Sequence, residues 1–586
     1  MKKWLITIFA IIASVCFAFG LTACDYYDEL DENGWEYISI NEGTEWKING
    51  YSGSATEVCI PSFYKDKPVT VLGPRIINDK VVKVTFADDT QIVRIGESAF
   101  ESSQGLKRVH LPKNIVEIEN CAFEWCEALE SVTFEENSKL EKISWRAFER
   151  CKSLKEIEIP AGVKTIESSV FWDCTALERI VIPSLVTHID DFVFNGCSSL
   201  EEVVLPEGIK SIGSRAFAGC VSLSSIEIPN GIETFGEEIF EDCNDIDLYF
   251  LGSADEWAQK NFEGELLEDN CKLYFNGALA TNVVIQTATS ISDYAFCNLK
   301  QLLSVDMLGS VEKIGERSFY NCTSLRSVVI PESVTTIGNS AFFNCSLLQN
   351  IEIPDTVTEI HDAAFYGCLA LEEIQFGENS QLQRIESFAF SNCESLKTVN
   401  LLKNRHLESI AYGAFRYCYR VESAAIPSSV INVDANVFYE CFSLPVIQCE
   451  LASKPTTWND DWNNRACPAI WDCSNNDVAD DGCVYVTIDG LNYGVKDGNA
   501  VLTKQHIDTI EATIKSRVTV DGQTYPVTGI IAKAFARCEQ LRRVTFEDTE
   551  GWTAGEEQIP SQVLSNLQIA ANHLRLTKNN FAWSKQ

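Results

Sequence analysis

Apolar positions recur along this chain with a beat of 23 residues, and each beat holds two short extended stretches. One turn runs Phe148-Glu-Arg-Cys151-Lys-Ser-Leu154-Lys-Glu-Ile157-Glu-Ile159-Pro160-Ala-Gly-Val163-Lys-Thr-Ile166-Glu-Ser-Ser-Val170-Phe171. Leu154, Ile157 and Ile159 end in strict alternation and stop at a proline, as a short strand should. Val163 and Ile166 supply a second extended stretch that runs into the next Val-Phe or Ala-Phe corner. The frame Phe-x-x-Cys-x-x-Leu appears at Phe100, Phe123, Phe148, Phe171, Phe194, Phe217 and Phe240. It resumes at Phe296, Phe319, Phe342, Phe365, Phe390, Phe415 and Phe438, with a last copy at Phe535. A self-similar period of this length predicts stacked units, each unable to bury its apolar face alone. The expected fold is a mainly β repeat solenoid with terminal caps.

Three turns lengthen to 25 residues, from Phe123 to Phe148, Phe365 to Phe390 and Phe390 to Phe415. In two of them the Ile-Pro corner becomes Phe134-Glu-Glu-Asn-Ser-Lys-Leu140 or Phe376-Gly-Glu-Asn-Ser-Gln-Leu382, where a coil can bulge without disturbing its neighbours. Cysteine follows Phe by three residues in every frame except two, which carry Ser103 and Leu299. In-register neighbours on stacked strands lie about 4.8 Å apart, whereas a disulfide wants its Cβ atoms at about 3.8 Å. The column therefore predicts reduced, core-facing thiols, and its replacement by Ser and Leu suggests a small buried residue that needs no partner.

The frame Cys-x-x-Leu-x-x-Ile-x-Ile-Pro-x-x-Val-x-x-Ile-x-x-x-Ala-Phe resembles the BspA-like class of leucine-rich repeats, found on bacterial surface proteins. The likeness spans about residues 84–448 and the isolated copy near Phe535. It implies a right-handed superhelix of about 23-residue coils and a role in protein binding, adhesion or host contact. It brings no catalytic residues and no cofactor.

The first 23 residues have the pattern of a lipoprotein signal peptide. Lys2 and Lys3 precede an apolar run that ends in Leu21-Thr22-Ala23-Cys24. This quartet resembles a bacterial lipobox in which Cys24 becomes the lipidated first residue, so membrane attachment through an N-terminal lipid is expected, on the extracellular side. Residues 24–81 lack the frame and are expected to form a tether and an N-terminal β cap, with a hairpin around Asn41-Glu-Gly43. Residues 82–450 are expected to form the solenoid, with two irregular coils at 244–290 and an outward excursion around Asp255 to Phe262; a domain boundary in this segment is the alternative. A Trp- and Cys-rich connector occupies 451–483. Residues 484–586 are expected to hold a C-terminal cap with strands at 484–488 and 494–501, one further repeat, and a helix over 563–571. The run Gln523-Thr-Tyr-Pro-Val-Thr528 echoes Lys67-Pro-Val-Thr70 at the N-terminal entry.

Charge narrows the partners. With 84 acidic and 47 basic residues, net −37, the chain is poorly suited to nucleic acid or anionic lipid faces. Cys449, Cys467, Cys473 and Cys483 lack the short Cys-x(2–4)-Cys knuckle of a zinc site. A local disulfide between Cys467 and Cys473 and unpaired thiols both remain open. None of the six histidines pairs with a Ser, Cys or acid in a catalytic constellation, so no enzyme is expected.

The better candidate is a surface. The residue between the two core aliphatics of each alternating strand must point outward. Coil by coil this column includes Glu158, Val181, Val204, Glu227, Val329, Glu352, Gln375 and Asn400, with His110, Thr133, Asp306, Ala425 and Gln448 in the same register. Solenoids use such columns as extended binding faces, and Val181 beside Val204 suggests an apolar contact patch. The expected function is a lipid-anchored cell-surface protein binding a protein partner through this face. The alternative is a cell-envelope glycan binder using Trp458, Trp462 and Trp471, although tryptophans that pack a cap are the more expected reading of this segment.

Overall fold

The computed structural model describes residues 28–548 except 268–270, 464–466, 475–478, 480, 532–533 and 536–537, and beyond them the strands Trp552–Ala554, Glu557–Gln558 and Trp583–Lys585. Cys24 with its leader, and the helix expected over 563–571, lie outside the described residues. The chain folds as two compact units, Met1–Leu251 and Gly252–Gln586. Each is built from the expected 23-residue coils.

In the first unit the chain is already paired at Asp28–Leu30, which lies antiparallel to Trp35–Ile40. That strand turns through Asn41–Gly43 into Glu45–Tyr51, as the hairpin pattern predicted. Lys67–Leu72 then joins Glu45–Tyr51 in parallel and Phe63–Tyr64 antiparallel. The first coil strands, Glu57–Ile60, Lys83–Phe86, Arg108–Leu111 and Ser131–Phe134, form a parallel four-stranded sheet. The second stretch of each coil makes two-residue strands, among them Arg94–Ile95, Glu117–Ile118, Lys142–Ile143 and Thr165–Ile166, paired in register. In the second unit the equivalent strands, from Ser290–Ile291 to Asn432–Val433, make a seven-stranded parallel sheet.

Because like positions stack on like, the cores are columns. Phe100, Phe123, Phe148, Phe171, Phe194, Phe217 and Phe240 are buried, and their rings lie nearly parallel with centroids 5.0–5.8 Å apart. Phe296 to Phe438 repeat this in the second unit at 5.1–5.7 Å. Every cysteine from Cys59 to Cys538 is a free thiol. The ladder is reduced, as expected, but its thiols do have partners. Each Sγ donates to the carbonyl of the Phe one coil earlier, at 3.0–3.3 Å from Cys126 to Cys243 and at 3.1–3.3 Å from Cys322 to Cys441. Ser103 and Leu299 stand in coils with no in-register Phe frame immediately before them. So does Cys538, whose Sγ donates instead to His506 O at 3.3 Å. Burial pushes these thiols up, Cys126 to about 12.

The 25-residue turns absorb their extra residues at the predicted corner. Glu117 still faces Lys142, and Ile360 still faces Ile385. Inside the corner, buried Ser380 donates to Asn404 Oδ1 at 2.6 Å, which closes two successive bulges against each other.

Each coil also bends twice through the left-handed region, two residues before and two after the Phe. Asn and Gly tolerate this best. In the second unit Asn298, Asn321 and Asn344 occupy the later bend. Their amides form a ladder, with Asn321 Nδ2 donating to Asn298 Oδ1 at 3.1 Å and Asn344 Nδ2 to Asn321 Oδ1 at 2.8 Å.

The expected outward excursion turns inward. Ala254–Ala258 is a short helix started by a capping box between Ser253 and Glu256. Trp257 is 1% exposed, donates from Nε1 to Ala295 O at 2.6 Å and packs on Phe262. Asp255 Oδ1 accepts from the backbone N–H groups of Gln286, Thr287 and Ala288. Burial opposes its ionisation, yet these three donors hold its carboxyl below the ordinary value. An aromatic segment pinned by a carboxylate buries its apolar rings, which the charged composition of the segment concealed.

Residues 484–501 also differ from the expected two strands. Val484–Ile488, Leu491–Lys496 and Asn499–Leu502 form a three-stranded meander. Asp489-Gly490 and Asp497-Gly498 are its two-residue turns, with φ of 51° and 78°, and 48° and 78°.

Candidate functional site

The strand face is set by parallel pairing, which places residue 181 directly beside residue 204 and so on along each sheet. In the first unit the outward column joins Cys59 to Thr85, His110 to Thr133, Val181 to Val204 and Glu227 to Tyr249. In the second it joins Val284 to Asp306 and Val329, Glu352 to Gln375, and Asn400 to Ala425, Gln448 and Ile470. Glu158, Glu227, Glu352, Gln375 and Asn400 are exposed, and so are Val181 (41%), Val204 (39%) and Val329 (49%). The structure therefore places all eight predicted face residues outward, four in each unit. Ala425 departs from the expectation and is buried, a methyl too short to clear Asn400 and Gln448 on either side. Cys59, Thr85, Tyr249 and Val284 extend the columns beyond what the Phe-Cys frame revealed, because they sit outside regular frames; Ile470 shares the register but is buried.

Next to this column the first unit carries ion pairs between successive coils, with Lys83 to Glu57 at 3.2 Å and Arg179 to Glu202 at 2.7 Å. Lys107 to Glu130 and Lys155 to Glu178 repeat the pattern at 2.8 and 3.3 Å. The second unit has Ser304, Ser327, Thr398 and Ser423 at four of the matching strand positions, and it keeps paired charges elsewhere, Lys397 to Glu372 at 2.6 Å and Arg543 to Glu511 at 3.8 Å.

Sequence patterning gave no sign of a groove of about 660 Å³ in the first unit. It lies where the cap strands Glu45–Tyr51 and Lys67–Leu72 meet the first coils. Lys47, Arg94, Glu97 and Glu119 give its walls both signs of charge, and Val71 and Val93 are exposed within it.

The tryptophans of the alternative reading sit differently from what it requires. Trp458 and Trp462 are 2% and 3% exposed, pack edge to face at 5.0 Å, and Trp462 packs on Phe438. They cover the end of the Phe column and have no free face for a sugar ring. Cys449 and Cys467 are buried, Cys473 and Cys483 half-buried, and none of the four is in a disulfide. Among the described residues no group of His, Cys, Asp and Glu is arranged to hold a metal ion. Among the same residues no helix is long and apolar enough to cross a membrane.

The family described as BspA type leucine-rich repeat region (6 copies) matches residues 78–197, 137–247, 271–381 and 379–457, together more than half of the chain. Among solved structures, a leucine-rich repeat protein from Bacteroides ovatus ATCC 8483 is similar at 23% identity and a TM-score of 0.44, over 69% of this chain and 95% of that one. A leucine-rich cell surface protein from Faecalibacterium prausnitzii A2-165 is similar at 25% identity and a TM-score of 0.35, over 75% of this chain and 99% of that one. The pneumococcal vaccine antigen PcpA is similar at 17% identity and a TM-score of 0.30, over 73% and 88%. No curated protein matches the chain.

Proposed function

The chain belongs to the BspA-type leucine-rich repeat family, and on that premise we propose that it is a bacterial cell-surface protein that binds a protein partner through its strand face. The observation that carries this reading is the in-register column of exposed side chains, with the Val181–Val204 pair at its most apolar point. Neighbouring coils fix every other position of the strand, whereas this column varies freely from coil to coil. Exposed apolar side chains ringed by polar ones are what a protein interface uses at its centre. The Leu21-Thr22-Ala23-Cys24 run supports attachment through a lipid on Cys24.

A photo-crosslinking side chain at position 204 of the full chain, displayed on its own cells and exposed to host or neighbouring cells, tests the face. A dominant protein adduct from 204 and none from position 233, on the second strand stretch, is the expected result. Equal labelling from both positions, or none from either, contradicts the reading. Separately, Cys24→Ser is expected to move the chain out of the membrane fraction; retention there rules out the lipid anchor.

A further inference from the structure

We propose that the turn flank of the first unit carries a second binding site, a tryptophan platform for a neutral polysaccharide. It is built from Trp125, Trp145, Arg146 and Arg150 around the carboxyl of Glu149, away from the strand column.

The residues come from two successive coils. Trp125 and Arg150 occupy the bend two residues after Phe123 and Phe148, at φ of 61° and 58°, and Arg146 occupies the bend two residues before Phe148, at φ of 56°. At the same two bends other coils of this unit place Ser98, Ser102, Ser169, Asp173, Gly196 and Gly219, but also Cys121, Phe192, Arg215, Glu238 and Asp242. A bulky side chain in this backbone region is uncommon, and the packing of the coil does not require it. Around Phe148, Arg150 and Trp125 meet at successive bends.

Each guanidinium lies on an indole. Arg150 sits 4.2 Å from the Trp125 ring, and Arg146 sits 4.2 Å from Trp145 and 5.6 Å from Trp172. The arginines are tethered in turn, Arg150 Nε to Asp173 Oδ2 at 3.2 Å and Arg146 Nε to Glu149 Oε2 at 3.1 Å. The indoles are thus held in a fixed orientation from one side, yet Trp125 remains 38% and Trp145 40% exposed. Glu149 is 6% exposed, and its Oε2, though within ion-pair distance of Arg146, has no aligned hydrogen bond. Burial, outweighing the two arginines, pushes its carboxyl above the ordinary glutamate value.

The surroundings select the ligand. The guanidiniums that lie on the two indoles are paired in turn with Asp173 and Glu149. Part-exposed indoles flanked by such polar groups fit a pyranose, whose C–H face stacks on the indole while its hydroxyls meet carboxylate and guanidinium. The net charge of −37 disfavours polyanionic chains.

The test is retention of the detergent-extracted full chain on four insoluble polysaccharides, a β-glucan, an α-glucan, a mannan and an acidic pectin. Retention on at least one neutral polymer and not on pectin is expected. W125A and W145A should each lower it at least tenfold while the thermal melt stays unchanged. Glu149→Gln, which keeps the shape, should weaken retention less. Retention on none of the four, on pectin alone, or unaffected by both Trp substitutions overturns the proposal. So does loss of a crosslinked protein partner in W125A and W145A with glycan retention intact, which would make the platform a protein surface.

Discussion

The N-terminal cap and the module at residues 484–546 are built on one plan from different residues. In the first, Trp35–Ile40 and Glu45–Tyr51 form an antiparallel hairpin, Lys67–Leu72 joins in parallel, and Phe63–Tyr64 closes the edge. In the second, Leu491–Lys496 and Asn499–Leu502 form the hairpin, Gln523–Ile530 joins in parallel, and Arg517–Val520 closes the edge. The parallel pairing slips by one residue at the matching place in both, after Trp46 and after Ala500. The first coil strands agree too, Glu57–Ile60 with Lys83–Phe86 and Glu511–Ile514 with Arg543–Phe546. Yet the first core is aromatic, with Tyr37 stacked on Tyr64 at 4.0 Å, and the second is mainly Leu491, Val495, Leu502 and Val527. Turn positions and alternation set this topology; the volume that fills it can be divided in more than one way.

The two modules part at the end of the long strand. Lys67–Leu72 lies against Arg94–Ile95 of the next coil, so parallel stacking continues. Gly529 and Ile530 pair instead with Ser584 and Trp583 of an antiparallel strand. An antiparallel partner uses up the strand edge that would otherwise template another coil.

The largest expected difference between the regions is their response to alkali. A buried thiol whose pKa is raised stabilises the fold fully below the free thiol's pKa, about 8.5, and that contribution is lost as the pH rises toward the folded value. The loss is roughly 1.4 kcal/mol per pH unit per thiol. Cys126, Cys151, Cys174, Cys197 and Cys220 are pushed up together in the first unit, whereas Cys538 is the raised buried thiol of the C-terminal module. Hydrogen exchange followed by peptide is expected to show the coils of the first unit opening steeply between about pH 9 and 10, below the range in which Tyr485 and Tyr493, both pushed up by burial, ionise. The C-terminal module should soften with a shallower slope over that interval; equal slopes would break the comparison.

Truncation before residue 583 comes next. It removes the two pairs at Gly529 and Ile530, at about 1 kcal/mol for each hydrogen bond lost. Faster exchange of those amides is expected, with no change at Val71 and Leu72. The hairpin turns give a smaller effect. Lys65 and Asp66 adopt φ of 48° and 61°, and Asp521 and Gly522 adopt 49° and 80°. Gly522→Ala should cost about 1 kcal/mol, and Asp66→Gly should gain less than that, in chemical denaturation. The smallest effect belongs to the matching ion pairs, Glu57 with Lys83 at 3.2 Å and Glu511 with Arg543 at 3.8 Å. Both are exposed, so Glu57→Gln and Glu511→Gln should each change stability by about 1 kcal/mol or less. A larger loss in either would mean that the pair is shielded from water.

Much of this was legible because a repeated frame reports its own geometry. The Phe and Cys columns, the corner bulges and the eight outward residues all follow from period and alternation. The duplicated module showed itself only as Pro68-Val-Thr70 against Pro526-Val-Thr528. What spacing could not reveal was anything that joins one coil to the next by unlike positions. The bond from Cys174 to the Phe148 carbonyl is one case. Arg150 lying on Trp125 is another, since its members fall in variable columns. Trp257 misled for a different reason: in a polar segment it looks exposed, and burial depends on what folds over it.

The most direct measurement is alkylation of the native full chain under mild conditions, followed by peptide mass spectrometry before and after unfolding. Stacked coils predict rapid modification at exposed Cys59, slow modification at Cys121, Cys473 and Cys483, and none in the ladder from Cys126 to Cys441 until the chain unfolds. Disulfide-linked peptides between neighbouring coils, or ladder thiols modified as fast as Cys59, would contradict it.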